Sequence, residues 1–298
     1  MSFRFAHKPH RIVLAALTIP LLAASAGCGG SAADAGETVR IGVVGASDPY
    51  WQTYADAAEE AGIDVEIIDF AEYTQPNPAL SEGELDLNQF QHIVYLARYN
   101  VSSGSDLIPV GSTAIYPLGL YSTQYGSVED IPDGATVAVP NDESNLARGL
   151  LVLQSAGLVA LQDGGSAFST LDDIDPDKSR VEVTTLEASL TPTSLPDVAA
   201  AIINNDFVTD AGLSAEEAIA QDDPSDPNAV PYVNIFAARA GGEDNETYLK
   251  LVEIYQDTQA VLDGVQENSG NTAQFLKIPA EELKTSLEDV EKDIEEQG

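Results

Sequence analysis

The chain has 298 residues, of which 44% are apolar, a composition typical of a globular protein with one large domain or two smaller ones. Its 49 Asp and Glu residues outnumber its 13 Lys and Arg residues and give a formal net charge of -36. Such a negative chain repels polyanions, so we expect neither nucleic acid nor anionic lipid headgroups as a partner surface.

The N-terminal segment has the pattern of a secretory leader. Arg4, Lys8 and Arg11 precede an uncharged apolar run over residues 12–26, and small residues lie at its end. A basic start, a short apolar run and small residues before the cleavage point are the parts of a signal peptide. Because the run is shorter than the roughly 20 residues that a membrane-spanning helix needs, we expect residues 1–27 to be removed.

Cys28 is the only cysteine in the chain, so no disulfide can form within one molecule. It follows Ala26 and Gly27 and resembles the acylated cysteine of a bacterial lipoprotein signal, although Ser25 stands where that pattern usually has Leu. A chance cysteine in a cleaved leader is the alternative. We expect a lipoprotein signal peptide, lipid attachment at Cys28 and a flexible tether over residues 28–37. More than one acyl chain would anchor the protein in the cell membrane, on its extracytoplasmic face.

The next part of the chain alternates between strand and helix patterns. Residues 39–45 and 64–70 are short runs rich in apolar and β-branched residues, which predicts two buried strands. Residues 48–61 and 77–83 each begin with a polar residue followed by proline, a pattern typical of a helix start. The alternation of nearly continuous apolar strands with helices predicts a parallel sheet covered by helices.

The alternation repeats further along the chain. Two strand-like runs flank Pro117, a helix is predicted over residues 144–156, and residues 197–204 change from helix-like to strand-like. Further strands are predicted over residues 135–140, 181–187 and 232–239. We therefore predict an α/β protein with two lobes joined by two crossing segments. Lobe 1 would contain residues 38–119 and 236–298, lobe 2 would contain residues 120–235, and the cleft between them would be the binding site.

The end of the chain is predicted to be helical over residues 244–262 and 279–296. The second of these helices carries a narrow apolar stripe at helical spacing, formed by Leu283, Leu287, Val290 and Ile294. We expect this stripe to pack back on the body of the protein; a helix that binds a partner is the alternative.

The sequence contains little that suggests catalysis. His92 is the only histidine outside the leader, which excludes paired-histidine metal sites and most histidine-dependent catalysis. The Gly-x-Ser-x-Gly turn of serine hydrolases does not occur in the sequence. Residues 173–184 begin like a calcium loop but have Lys178 where the loop needs Gly and Thr184 where it needs Glu. We therefore predict no enzymatic activity, no metal and no cofactor.

Arg148 is a candidate anion-binding residue in a chain that has few cations. It lies near the start of the helix predicted after the strand at 135–140. The free N–H groups of a strand-to-helix turn, together with a planar guanidinium, form a site for a carboxylate. The alternative is an ion pair between Arg148 and a nearby acid such as Glu143.

A second candidate cluster surrounds His92. Phe90 and His92 share a face if the segment is extended, and Tyr95 reaches that side if a helix begins after His92. Tyr73 lies at the end of the second predicted strand. Aromatic rings and one imidazole would suit a flexible or thioether side chain. The alternative is a core histidine packed among aromatic residues.

Four segments carry a resemblance to a known family: YTQPNPALSEGELDLNQFQHIVYL (73–96), VAVPNDESNLARGLLVLQSAGL (137–158), AIINNDFVTDAGL (201–213) and PYVNIFAAR (231–239). With these segments the chain resembles the NlpA-type methionine-binding lipoproteins, the substrate-binding proteins of methionine ABC importers. The likeness covers most of residues 38–262.

The resemblance implies a two-lobed periplasmic-binding-protein fold that closes on an amino acid and delivers it to a permease in the membrane. It assigns Arg148 to the ligand carboxylate. The residues that would hydrogen-bond the amino-acid backbone of the ligand are Asn145, Asn204 and Asn234. The residues that would enclose the ligand side chain are Tyr73, Phe90, His92 and Tyr95.

The sequence departs from this family at three places. The loop over residues 42–52 differs from the Gly-rich loop common in relatives, Phe207 stands where many members have Tyr, and the tail from about residue 263 is longer and more acidic than usual. L-Methionine is the favoured ligand. D-Methionine, another small amino acid or a methionine-containing dipeptide remain alternatives, as does a surface adhesin or adaptor on the same fold.

Overall fold

The computed structural model describes residues 38–297, apart from the side chains of residues 227 and 228. The predicted signal peptide, the lipid-attachment residue Cys28 and the predicted tether lie outside the described residues. Within residues 38–297, no helix combines the length and the apolar character that crossing a bilayer requires.

Strands and helices alternate through most of the chain. The strands are β1 (Val39–Val44), β2 (Val65–Phe70), β3 (Leu87–His92), β4 (Ile108–Ser112), β5 (Ala114–Ile115), β6 (Gly119–Tyr121), β7 (Thr136–Pro140), β8 (Glu182–Leu186), β9 (Ala200–Ile203), β10 (Ala220–Gln221), β11 (Asn234–Ala238) and β12 (Gln274–Phe275). The α-helices are α1 (Pro49–Glu60), α2 (Pro76–Ser81), α3 (Ile93–Ser103), α4 (Glu143–Ser155), α5 (Thr191–Ser194), α6 (Glu246–Asp257), α7 (Gln259–Asn268) and α8 (Ala280–Gln297). Short 3-10 turns include Asn205–Phe207 after β9 and Pro227–Tyr232 before β11.

The first lobe is built on a five-stranded sheet with the order β2-β1-β3-β11-β4. β1 runs parallel to β2 and β3, as expected for strands connected by helices. β11 runs antiparallel to both of its neighbours, β3 and β4, so the prediction of a parallel sheet is wrong for this strand. The reason is connectivity, because β11 enters the sheet on its return from the second lobe rather than after a crossover helix.

The second lobe contains another five-stranded sheet, with the order β10-β6-β9-β7-β8. β7 is parallel to β8 and β9, whereas β6 is antiparallel to β9 and β10. Val137, Val139, Leu150 and Ile202 belong to one buried cluster that joins this sheet to α4. Burial of these apolar side chains stabilises the lobe and fixes the start of α4 relative to the sheet.

Two segments connect the sheets, in agreement with the predicted α/β class and its two crossing segments. Residues 113–118 lead from β4 to β6, and residues 222–233 lead from β10 to β11. The predicted lobe boundaries, after residues 119 and 235, remain a prediction. The strands next to them begin at Gly119 and Asn234.

Two local predictions need correction. The helix predicted over residues 244–262 is divided into α6 and α7, because Thr258 has an extended backbone with φ -83° and ψ 105°. The helix-like start predicted for residues 197–204 is not helical; the preceding helix α5 ends at Ser194, and the strand β9 begins at Ala200.

The terminal helix α8 packs back on the first lobe, as predicted. Leu283 and Leu287 are buried, and Val290 and Ile294 pack against the same apolar cluster, which includes Leu96 of α3. The apolar stripe of α8 is therefore covered within the chain.

We expect Leu283→Ala to destabilise the protein by about 2–5 kcal/mol, because it removes a fully buried side chain and leaves a cavity. Lys284→Ala, on the exposed side of the same helix, is the control and should change the free energy of unfolding by about 0.5 kcal/mol or less. Chemical denaturation measures both values. Equal effects of the two substitutions would contradict the packing of α8.

Candidate ligand-binding site

A cavity lies between the two sheets, where β3 and β9 end and α4 begins. All eight residues that the resemblance assigned to the ligand line this cavity. The complete lining is formed by Tyr73, Phe90, Gln91, His92, Tyr95, Tyr116, Pro117, Leu118, Asn145, Arg148, Asn204, Asn205, Asp206, Tyr232 and Asn234.

The aromatic side of the cavity is formed at the junction of β3 and α3. Phe90 and His92 are two residues apart on β3, and Tyr95 lies in the first turn of α3, as the sequence predicted. The ring centroid of Tyr95 is 5.6 Å from that of Phe90 and 6.1 Å from that of Tyr73. Phe207 reaches the cluster from the second lobe, with its centroid 5.0 Å from that of Tyr73. We call Tyr73, Phe90, His92 and Tyr95 the aromatic wall.

His92 caps the helix that follows it and has one ring nitrogen left for another partner. Its Nδ1 accepts a hydrogen bond from the Tyr95 N–H at 3.1 Å, so the proton of the neutral ring is on Nε2. Burial, and to a lesser extent the Arg148 cation, lowers the pKa of His92 to about 3, against a smaller opposite effect of the Asn145 amide. Within the described part of the chain, the buried Nε2 has no hydrogen-bond partner.

Three groups next to the cavity hold the guanidinium of Arg148 in place. Its Nε donates to Asp222 Oδ2 at 2.6 Å, and its Nη2 donates to the Tyr116 carbonyl at 2.8 Å. The guanidinium carbon lies 4.6 Å from the ring centroid of Tyr232. The alternative of an ion pair is confirmed in part, because Arg148 does pair with an acid; that acid is Asp222, far away in sequence, and the suggested Glu143 pairs with Arg98 instead.

The start of α4 fixes the neighbours of Arg148. Asp142 caps this helix by accepting the Asn145 N–H at 2.9 Å, and both of its carboxylate oxygens also accept from Asn145 Nδ2 at 3.0 Å. Asn145 Oδ1 in turn accepts from Asn204 Nδ2 at 2.9 Å. The third asparagine, Asn234, begins β11 directly opposite His92. Hydrogen bonds therefore orient Asn145 and Asn204 on the second lobe, whereas Asn234 lies on the first lobe beside His92.

Three buried polar atoms of this cavity have no hydrogen-bond partner among the described residues. They are His92 Nε2, Asn204 Oδ1 and the hydroxyl oxygen of Tyr232. Buried polar atoms are normally hydrogen-bonded, and an unpartnered one costs about 1–3 kcal/mol. Their convergence on one cavity indicates a polar ligand that supplies both an acceptor and a donor.

Sequence reasoning missed several residues of the site. Asp222 lies in an acidic stretch with the composition of a surface loop, and no motif distinguished it from the other carboxylates. Tyr232 lies within a segment that carried the family resemblance, but only its neighbour Asn234 was assigned a role. Tyr116 contributes a backbone carbonyl, which no side-chain pattern can indicate. Asp206 lines the cavity two residues after the predicted Asn204.

Over residues 38–297, no group of three or more His, Cys, Asp or Glu side chains is arranged to hold a metal ion. The carboxylates of the site act instead on neighbouring side chains, since Asp142 binds Asn145 and Asp222 binds Arg148.

Comparisons by family model, by sequence and by structure all place this chain among NlpA-type lipoproteins. The model of the NlpA lipoprotein family matches residues 39–276. The D-methionine-binding lipoprotein MetQ of Salmonella typhi is 38% identical over 241 residues, which cover 79% of this chain and 87% of that protein. The substrate-binding protein of a methionine transporter from Streptococcus pneumoniae has a TM-score of 0.74 and 35% identity, covering 80% of this chain and 95% of that chain. A nutrient-binding protein from Burkholderia cenocepacia, solved with methionine bound, has a TM-score of 0.73 and 35% identity, covering 80% and 99%.

We expect His92 to remain neutral from pH 8 down to about pH 4, because burial and Arg148 lower its pKa to about 3. ¹⁵N NMR of the imidazole, assigned by the loss of its signals in His92→Gln, should show the tautomer with the proton on Nε2 throughout this range. Titration with a midpoint near the usual value of about 6.5 would contradict the buried position of the ring.

Proposed function

Because the chain belongs to the NlpA lipoprotein family, we propose that it is a substrate-binding lipoprotein that captures methionine between its two lobes and delivers it to an ABC importer. The observation that carries this proposal is the cavity that joins the Arg148 guanidinium to the aromatic wall, with three buried polar atoms that lack partners among the described residues. An amino acid has a carboxylate for the guanidinium, a side chain for the aromatic wall and an ammonium group for the unpartnered polar atoms.

Arg148 is positioned to receive the ligand carboxylate. A guanidinium has five N–H donors, and the bonds to Asp222 and to the Tyr116 carbonyl use two of them. These two bonds and the Tyr232 ring fix the orientation of the guanidinium before the ligand arrives. A carboxylate that binds a pre-oriented guanidinium loses less conformational entropy than one that must order it.

The aromatic wall suits the thioether side chain of methionine. Sulfur makes favourable contacts with aromatic rings about 5 Å away, and the unbranched side chain adapts to irregular space. The neutral His92 ring can donate from Nε2 without adding a charge that would have to be desolvated. Tyr73 of the aromatic wall is in ring contact with Phe207 of the second lobe, so this wall packs against both lobes.

The site and the family favour transport over catalysis. We propose that the protein is not an enzyme and that its partners are methionine and the permease of the importer. We also propose that lipid on Cys28 holds it at the extracytoplasmic face of the cell membrane, on the basis of the leader pattern and of relatives that are named lipoproteins.

Methionine should bind the wild-type protein and stabilise it against heat, and Arg148→Ala should weaken binding several hundred-fold or more. The substitution leaves a desolvated carboxylate and the Asp222 carboxylate unpaired, which costs about 3–5 kcal/mol. Isothermal titration calorimetry with separate L- and D-methionine measures the loss. It also decides between L-methionine, which the sequence favoured, and the D-methionine named in relatives.

Arg180→Ala is the matched control, because Arg180 pairs with Asp133 on the surface of the second lobe and does not line the cavity. It should keep the wild-type affinity. Near-native affinity of the Arg148→Ala protein would reject the carboxylate assignment, and failure of either enantiomer to bind the wild-type protein would reject methionine as the ligand.

Cys28→Ser should release the protein from the membrane fraction, because serine cannot carry the thioether-linked lipid. Membrane fractionation of cells that express the two forms measures the distribution, and labelling with a palmitate analogue measures the lipid directly. Calorimetry on the released protein is the control, and its affinity for methionine should be unchanged. A Cys28→Ser protein that stays in the membrane fraction would contradict the anchor.

A further inference from the structure

The cavity contains a carboxylate that neither the aromatic wall nor Arg148 uses. Asp206 lies on the 3-10 turn Asn205–Phe207 directly after β9, and its Oδ2 accepts a hydrogen bond from the Tyr73 hydroxyl at 2.7 Å. Among the described residues that line the cavity, Arg148 and Asp206 are the ones that carry a formal charge when His92 is neutral. One cation and one anion in the same lining complement the two charges of a zwitterion.

Asn204 places a second acceptor two residues before Asp206. Its Nδ2 donates to Asn145 Oδ1, whereas its buried Oδ1 has no partner in the part of the chain that the structure describes. A buried carbonyl oxygen without a partner indicates a missing donor. An ammonium group offers three N–H donors and no acceptor, so it can satisfy Asn204 Oδ1 and the Asp206 carboxylate together.

We propose that Asp206 binds the ammonium group of the ligand and thereby makes the site selective for amino acids with a free, charged α-amine. This inference rests on the proposed function, because it assigns a role within the same cavity. It adds a charged contact to the asparagine contacts that the family resemblance implied, and it places both charge-recognising residues, Arg148 and Asp206, on the second lobe.

The surroundings of Asp206 make this contact dependent on pH. Burial, as the largest cause, and the Asp48 carboxylate raise the pKa of Asp206 to about 6, against the hydrogen bonds from Tyr73 and from the Asn205 amide, which lower it. The other titratable side chains that interact with it are those of Tyr50, Tyr116 and Tyr255. These three stay neutral near pH 6, because burial raises their pKa values above the usual range.

An ammonium group beside Asp206 favours the ionised carboxylate and lowers its pKa below the value in the empty site. Binding therefore releases protons when the solution is near pH 6. The contact has its full effect on affinity above about pH 7, where the carboxylate of the empty site is already ionised, and is lost as the pH falls through the lower pKa of the bound state. The affinity for methionine should accordingly be constant above about pH 7 and decline below pH 6.

The test compares methionine with its 2-hydroxy analogue, in which a hydroxyl replaces the ammonium group while the carboxylate and the thioether remain. Calorimetry at pH 7.5 on the wild-type protein should show a preference for methionine of at least about 10- to 100-fold, the value of a hydrogen bond to a charged group. Asp206→Asn should reduce this preference at least about tenfold. Asp210→Asn, the same change at an exposed position four residues further on, should keep it.

Tyr73→Phe tests whether Asp206 contacts the ligand directly or acts through its hydrogen bond to Tyr73, which joins the two lobes. It removes the hydroxyl but keeps the carboxylate and the ring, so it should weaken the binding of both ligands by a similar factor and preserve the preference for methionine.

Calorimetry at pH 6 in two buffers of different ionisation enthalpy counts the protons that are released when methionine binds. Release should disappear in Asp206→Asn. It should persist in Asp48→Asn with its midpoint at a lower pH, because this change removes a carboxylate that raises the pKa of Asp206 and that itself has a pKa of about 6.

The outcomes distinguish the two proposals. A wild-type protein that binds neither compound rejects the proposed function. A wild-type protein that binds methionine, together with an Asp206→Asn protein that keeps the preference and the proton release, rejects the role of Asp206 alone. Collapse of the preference in Tyr73→Phe also rejects it, because Asp206 would then act through its bond to Tyr73 rather than through the ammonium group.

Discussion

Arg148 has 6% of its surface exposed, and a charge removed from water is costly unless it is paired and hydrogen-bonded. Its partners come from three other segments: the Asp222 carboxylate from the loop after β10, the Tyr116 carbonyl from the first crossing segment, and the Tyr232 ring from the turn before β11. The positions of these segments depend on one another, because each segment contributes to the stabilisation of the same cation. The guanidinium thus links the second lobe to both crossing segments.

The same cation also acts on the opposite wall. Burial is the main cause that lowers the pKa of His92, and Arg148 lowers it in the same direction, so the imidazole is neutral and presents a donor. A protonated histidine near Arg148 would place two positive charges in one small cavity and would make the aromatic wall unsuitable for an apolar side chain. The burial of His92 and the position of Arg148 together therefore keep the imidazole of the aromatic wall uncharged.

Much of this arrangement could be predicted from local sequence patterns. The period-two relation of Phe90 and His92, the helix start that brings Tyr95 to the same side, and the position of Arg148 early in α4 all follow from spacing along the chain. The antiparallel insertion of β11, the division between α6 and α7, and the pairing of Arg148 with Asp222 could not be predicted in this way. They depend on contacts between residues far apart in sequence, and Asp222 is one of many acidic residues with equivalent local surroundings.

The position of β11 in the first sheet has a consequence for the order in which the protein can fold. β11 lies between β3 and β4, and it is the last strand of that sheet to be synthesised, after the whole of the second lobe. Until residue 238 has left the ribosome, β3 and β4 cannot acquire the neighbour that joins them, and their facing edges remain open. The first sheet can therefore be completed only late, through contacts of long sequence separation, which form slowly. Until then the chain exposes two strand edges that pair only in the completed sheet.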